Sequence, residues 1–384
     1  MPTKIKLKVT PLHLPLKTNF KQASSSRNLG ESIWVTASRG EIVGFGEGCP
    51  RSYVTGETVS SCMDWLNPQL TEIEEECTDL ASLQERVKAK NAAIDEHPAA
   101  WCGIETALLD LFAKEQGISV EQLLGLKKPL AVYQYAAILS DGDQQKYEGL
   151  IERYLKWGFT DFKIKLNGRL AEDQMKLETL SRMCETAGVN NLRIRLDANN
   201  LWSGNTAIAI DHLSKLKIPF IGIEEPVEPK NPGALSKVST SLDTAVILDE
   251  SLCSESDLQA YDNLEGRFIA NIKVSRVGGL IRSLKMIEAL QARDWKIIIG
   301  AHVGESSVMT RAGMCAAQAA GAHLRSQEGC FGTILLSEEP VTPSLMFGAR
   351  GQLDLTKPYI LKTENGNIEF PLSTWDKGWG LVQS

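Results

Sequence analysis

Three acidic clusters lie in the middle of the chain: Arg195-Leu196-Asp197-Ala198-Asn199, Ile223-Glu224-Glu225-Pro226 and Leu248-Asp249-Glu250-Ser251. Each closes a short apolar, β-rich run, so each places carboxylates at the end of a strand. One such acid could simply be solvated or cap the next helix. Three on successive strands call for a cation. Oxygen ligands from adjacent strands suit Mg²⁺, with Mn²⁺ as a substitute, and leave positions for water or substrate. Lysines flank the acids, in Phe162-Lys163-Ile164-Lys165 before them and Asn271-Ile272-Lys273 after. Residues two apart share a strand face, so Lys163 and Lys165 point together, and an inward lysine is too costly to be there for packing alone. Such a set suits removal of the hydrogen beside a carboxylate. That hydrogen is too weakly acidic for an unaided side chain, and a cation on both carboxylate oxygens would offset the charge of the enediolate that forms. The base must be neutral at working pH; Lys163 beside Lys165, together with the cation, is expected to depress the lysine pKa. Asn199, Glu225 and Glu250 are candidates to orient the metal ligands.

These groups need a frame that gathers strand ends. From about Leu130, β-rich runs alternate with amphipathic helices, and strands are predicted at Val132–Leu139, Asp161–Leu166, Leu192–Asp197, Phe220–Glu224, Ala245–Asp249, Phe268–Val274, Lys296–His302 and His323–Gln327. Eight strands with intervening helices close a parallel (β/α)₈ barrel of the TIM type, whose active sites form at the C-terminal strand ends. Strands two and six then face each other, with the acidic strands three to five on the arc between. No Gly-rich dinucleotide fingerprint or phosphate loop supports an open sheet. Residues 1–129 read as an α+β capping domain, with an alternating run to Leu16, a polar, Ser-rich loop over Lys17–Gly30, strands at Ser32–Ala37 and Glu41–Gly46, and helices from Glu57 to Gln116. Residues 130–346 are the barrel, and the Gly- and Trp-rich stretch 347–384 is expected to return to the capping domain.

Bulk properties narrow the class further. The 384 residues suffice for a barrel plus a smaller domain, and 43% hydrophobic with 23% charged residues is the balance of a globular enzyme. A net charge of −7 argues against nucleic acid or an acidic membrane as partner. No run approaches the ~20 apolar residues of a bilayer span. The eight cysteines are scattered without a CxxC pair, which points to reduced thiols and a cytoplasmic setting. A homo-oligomer is expected.

Taken together, Lys163–Lys165 (KIK), Asp197–Asn199 (DAN), Ile223–Pro226 (IEEP), Asp249–Ser251 (DES) and Asn271–Gly279 (NIKVSRVGG) resemble the enolase superfamily, within it the muconate lactonising enzyme subgroup of the mandelate racemase/muconate lactonising enzyme family. Gly46-Glu47-Gly48, the Pro50–Glu57 run and the Cys102–Leu111 helix resemble that family's capping domain and its junction with the barrel. The resemblance implies Asp197, Glu224 and Asp249 as metal ligands and Lys165 and Lys273 as the acid/base pair, with Lys163 assisting. Two departures bear on the reaction. Dipeptide epimerases of the subgroup are expected to carry Asp-x-Asp near strand eight, where this chain has Ser326-Gln327-Glu328-Gly329. His302 ends strand seven, where the mandelate racemase subgroup has its histidine, but Lys273 stands where that subgroup has the partner aspartate. His302 is read as a substrate contact, and Glu305 as a contact at the pocket rim.

Two bases on opposite faces permit racemisation or epimerisation of an amino-acid-like carboxylate, the preferred reading. The same groups could run cycloisomerisation, or dehydration of the o-succinylbenzoate synthase kind, with one lysine acting. A Schiff-base lyase using Lys165 or Lys273 as nucleophile is the rival from another class. Specificity for the small carboxylate is expected from the capping domain, with Asn19, Phe20, Arg27, Arg51 and Tyr53 as candidates.

Overall fold

The computed structural model describes residues 4–22, 25–140, 142–363 and 366–384, with side chains 18–22, 25–27, 359–363 and 366–370 outside the description. Strands Ala137–Leu139, Asp161–Lys165, Arg193–Asp197, Gly222–Glu224, Ala245–Leu248, Arg267–Ile272, Lys296–Ile299 and Leu324–Gln327 form one parallel sheet in chain order. The ring closes where the Ala136 amide donates to the Gln327 carbonyl at 2.8 Å. Ile247, Ile269 and Ile298 fill part of its interior, and the helices pack outside, as a (β/α)₈ barrel requires.

The predicted first strand divides. Only Ala137–Leu139 joins the barrel, while Val132–Gln134 pairs antiparallel with Gln352–Asp354. Tyr135 turns between the two, its amide bound to the Gly351 carbonyl at 2.8 Å. One apolar run thus serves two sheets, because the late chain offers a second edge. The chain end then runs under the capping domain, where the indole of Trp379 donates to the Phe45 carbonyl at 3.0 Å.

The capping domain is a three-stranded antiparallel sheet, Lys6–Gln22, Ser25–Arg39 and Ile42–Gly48, laid on the Pro98–Gln116 helix. Gly44, Gly46 and Gly48 alternate on one strand face, and an added Cβ at each would strike the backbone oxygens of Ala107, Gly103 and Ala99 in turn. Three bare positions let helix and strand meet backbone to backbone, which explains the Gly-Glu-Gly segment. The helix starts on Pro98 and stops at Gly117, which takes the left-handed φ of 68°.

Lys17–Gly30 is read above as a loop; its described residues, 17–22 and 25–30, instead continue the first two strands as the arms of a hairpin, with Phe20 opposite Arg27 and a register shift after Pro15. Ladder hydrogen bonds override its polar composition. The hairpin reaches the barrel mouth: the Lys17 amide donates to the Leu335 carbonyl at 2.8 Å, and Gly30 sits on Gly304. The side chains of Asn19, Phe20 and Arg27 lie outside the described residues.

Candidate active site

At the C-terminal end of the barrel a cavity of 360 Å³ opens. Its wall holds Lys163 and Lys165 from strand two, Asp197 and Asn199 from strand three, and Glu224 from strand four. Asp249 and Glu250 follow strand five, and Lys273 follows strand six. The alternation of strand two does turn both lysines inward: Lys163 and Lys165 are 5% and 8% exposed. Lys163 Nζ lies 2.8 Å from Glu224 Oε1, 3.3 Å from Asp197 Oδ2 and 3.3 Å from Glu328 Oε2. Lys165 Nζ lies 3.1 Å from Asp197 Oδ2 and donates to Asn199 Oδ1 at 2.9 Å. Across the ring Lys273 Nζ meets Asp249 Oδ2 at 2.6 Å, and Arg276, fully buried, holds the other oxygen of the same carboxylate.

The electrostatics follow from this interleaving. Burial raises the Asp197 carboxyl, but Lys163 and Lys165 outweigh it and hold the group well below the usual range. Burial pulls Lys163 down, yet Asp197, Glu224 and Glu328 reverse the balance and raise it. Three acids thus surround the Lys163 side chain and favour its charged form. Glu224 is raised by burial, with Lys163 offsetting part of the rise. Burial also raises Glu225 and Glu250, each to about 7.

As placed, no three of these acids lie close enough to share one ion among the described residues. Ammonium and guanidinium groups stand between them. The donor set nevertheless fits a hard divalent cation. Glu224 Oε2 and Glu250 Oε2 are buried carboxylate oxygens with no hydrogen-bond partner among the described residues, a costly condition that a bound cation would relieve. Glu225 plays a different part. Its Oε1 accepts from the amides of Asp249 and Ser251 at 2.7 and 2.8 Å, and its Oε2 from the Ser251 hydroxyl at 2.8 Å. It fixes the turn that aims Asp249, and its own φ of 37° is part of that bend.

The remaining candidates separate. His302 and Glu305 are in the cavity wall, and the His302 amide donates to Glu305 Oε1 at 2.7 Å. Burial pushes Glu305 up to about 8. Tyr53 is also in the wall, 42% exposed. Arg51 is not. Its guanidinium is buried and donates to the carbonyls of Glu31, Pro50 and Val303 at 2.8, 2.6 and 2.7 Å, so it ties the capping domain to the loop after strand seven rather than meeting substrate.

Sequence reasoning missed three residues. Glu328, treated above only as a departure, ends strand eight inside the site and bridges Lys163 to Arg195, whose Nη1 lies 2.7 Å from Glu328 Oε1. Asn271 Nδ2 reaches Glu224 Oε1 at 3.4 Å, and Arg276 clamps Asp249. Glu328 carried a signal, an acid at a strand end like the other three. Arg276 carried none, since its charge is buried by a short helix after Lys273.

A parallel barrel with carboxylates on strands three to five and lysines on strands two and six defines an enzyme frame of the enolase kind. Residues 146–353 match the enolase C-terminal domain-like family and residues 3–125 the mandelate racemase / muconate lactonizing enzyme N-terminal domain. The chain belongs to that family, and is an enzyme of the superfamily's isomerase class. It is 28% identical over 317 residues to the N-succinyl-L-Arg/Lys racemase of Bacillus cereus, covering 80% of this chain and 83% of the relative. It is 25% identical over 381 residues to the L-Ala-D/L-Glu epimerase of Bacillus subtilis, covering 96% and 93%. The crystal structure of a dipeptide epimerase from Enterococcus faecalis V583, complexed with Mg and the dipeptide L-Leu-L-Tyr, shares the fold at a TM-score of 0.76 and 22% identity, covering 92% of this chain and 97% of that one. No helix among the described residues is long and apolar enough to cross a membrane.

Proposed function

We propose that this protein is a Mg²⁺-dependent racemase or epimerase acting at the carbon beside the carboxylate of an amino-acid derivative. The observation that carries the reading is the placement of Lys165 and Lys273 on strands two and six, either side of the acidic arc. A substrate whose carboxylate lies at that arc presents one face of its α-carbon to each Nζ. Asp197, Glu224 and Asp249 would hold the cation, which supplies positive charge to both carboxylate oxygens as the α-proton leaves. With Asp197 and Asp249 engaged as ligands, Lys165 and Lys273 would be released from the carboxylates they now meet and would accept or give a proton at the α-carbon. Lys163 stays paired to Glu224 and Glu328 and adds fixed positive charge beside the developing anion. The activities named for the Bacillus relatives support the same reading.

The test is exchange of the α-hydrogen in D₂O, followed by NMR for each enantiomer. Lys165→Ala should stop exchange of one enantiomer and Lys273→Ala that of the other. If one lysine controls exchange of both enantiomers, the two-base assignment falls and a cycloisomerase or dehydratase takes its place. Chelation should abolish exchange and added Mg²⁺ restore it; full activity after exhaustive chelation would overturn the metal assignment.

A further inference from the structure

A second cavity, of 290 Å³, lies between the outer elements that follow strands five and six, and shares no wall residue with the catalytic one. Its wall comes from three places. The segment after strand five and Asp249 supplies Ser254 and Ser256, whose hydroxyl oxygens are 2.8 Å apart, and Gln259. The Leu280–Gln291 helix, which follows Lys273, supplies Arg282 and Lys285, and Arg293 stands just beyond its end. The capping domain closes the third side with Asn91. Val277 is the one apolar residue among those described in the wall.

The wall is cationic in a chain of net charge −7: Arg282, Lys285 and Arg293 stand against one acid, Glu255. Each cation is already tethered. Lys285 Nζ lies 2.7 Å from Glu255 Oε2. Arg293 Nε and Nη2 donate to the Asp262 carboxylate at 2.8 and 3.2 Å, and its Nη1 to the Ala289 carbonyl at 3.0 Å. Arg282, 7% exposed in its side chain, donates to Asp95 and, at 3.0 Å, to the Asn91 carbonyl. Asp95 and Asp262 are not in the wall, so they hold the two guanidinium groups from outside it. These bonds leave N–H donors over on all three cations, since a guanidinium carries five and an ammonium three.

We propose that this cavity is a second ligand site, which takes a phosphomonoester of a small polyol or sugar. A phosphomonoester is close to dianionic at neutral pH, which matches the two charges by which the cations of the wall exceed its acid. Its terminal oxygens accept from the donors left over on Arg282, Lys285 and Arg293. An apolar ligand would have only Val277 to bury against, and a cationic one would meet three like charges. A polyol body instead finds hydroxyl and amide partners in Ser254, Ser256, Gln259 and Asn91. A ligand held there joins the segment after Asp249 to the helix after Lys273, and both to the capping domain. The site stands whichever reaction the catalytic cavity runs.

The test is calorimetric titration of the Mg²⁺-loaded full chain with glycerol 3-phosphate, inorganic phosphate and glycerol. Neutral pH and an ionic strength of about 0.15 M keep long-range attraction from standing in for a site. Glycerol 3-phosphate should bind at one saturable site, inorganic phosphate several-fold more weakly, and glycerol not at all. Lys285→Ala and Arg293→Ala should each raise the Kd about tenfold, the order of one hydrogen bond to a charged group. The Lys285 side chain is 71% exposed, so its loss leaves the fold intact. Lys165→Ala, in the other cavity, should leave the Kd unchanged. Absence of saturable binding overturns the proposal, as does an affinity that neither Lys285→Ala nor Arg293→Ala moves. Loss of binding with Lys165→Ala would place the anion in the catalytic cavity and overturn the second site. Inorganic phosphate binding as tightly as the ester would overturn the polyol assignment.

Discussion

Glu328 joins two buried cations, Lys163 and Arg195, and burial would raise its carboxyl were it not held down to about 2 by those two charges. Glu328→Gln keeps the shape and one acceptor but leaves Arg195, 1% exposed in its side chain, facing a neutral group. Breaking a buried pair from one side costs about 3–5 kcal/mol, and a fall of that order in unfolding free energy from urea titration at pH 7 is expected. A loss below ~1 kcal/mol would show that Asp161, 3.5 Å from Arg195 Nε, suffices as its partner. Because the folded carboxyl is depressed, this stabilisation is present above about pH 4.5 and lost as pH falls toward 2. The catalytic candidates of this scale were legible in the sequence because each stands at a strand end beside residues of like purpose. The Glu328 bridge was not, since it joins positions 165 and 133 residues apart and only barrel closure brings them together.

At the scale of elements, the alternation of apolar runs and helices made the barrel legible, while the split of 132–139 between two sheets could not be read from a continuous run. A buried network also escaped the sequence. Asp173, on the Leu170–Thr186 helix, accepts from the amides of Asn167 and Gly168, both at 3.0 Å, and pairs with His212 of the next helix at 3.1 Å. Lys176, one turn on, pairs with Asp173 at 3.3 Å and donates to the carbonyl of Lys165 at 3.0 Å. The loop after strand two is thereby tied to two outer helices through the backbone of the proposed base. Lys176→Met removes the tie. Exchange of the α-proton on the Lys165 face should then fall about tenfold, the order expected of a small misplacement of a reacting group. Exchange on the Lys273 face should fall less, and Lys176→Arg should recover part of the loss. Equal losses on both faces would mean that Lys176 supports the fold and not the placement of Lys165.

Across the whole molecule the capping domain is bolted to the barrel by buried acids of its own. Glu47 Oε2 accepts from the amide and hydroxyl of Ser306, at 3.0 and 2.5 Å, capping the helix that follows strand seven. Glu121 pairs with Arg311, whose Nε donates to the Trp379 carbonyl at 3.1 Å. Glu105, inside the apolar Cys102–Leu111 stretch, accepts from the Ile281 amide at 2.9 Å and the Trp101 indole at 3.3 Å, and lies against Gly279 so closely that a Cβ there would strike its carboxyl. The Val-Gly-Gly after Lys273 is thus shaped by an acid of the other domain. The apolar spacing of 98–116 exposed a buried helix, but not which barrel loop its Glu105 would meet. Burial raises Glu105 to about 7, so between roughly pH 4.5 and 7 the folded protein holds a proton that the unfolded chain has lost. Its contribution is full below about pH 4.5 and is lost as pH rises through 7. Glu225, Glu250 and Glu339 at about 7 and Glu305 at about 8 lie in the same direction, each raised first by burial. The metal-free protein should therefore lose stability from pH 5 to pH 8. Glu105→Gln removes one titrating group and keeps an acceptor, so the variant should gain on the wild type across that interval. The gain should be roughly 3 kcal/mol, since each tenfold difference in proton affinity between folded and unfolded chain is worth about 1.4 kcal/mol. Urea unfolding at pH 5 and pH 8 in chelator measures the difference directly, and two curves that run parallel would show that Glu105 stays ionised at the domain junction.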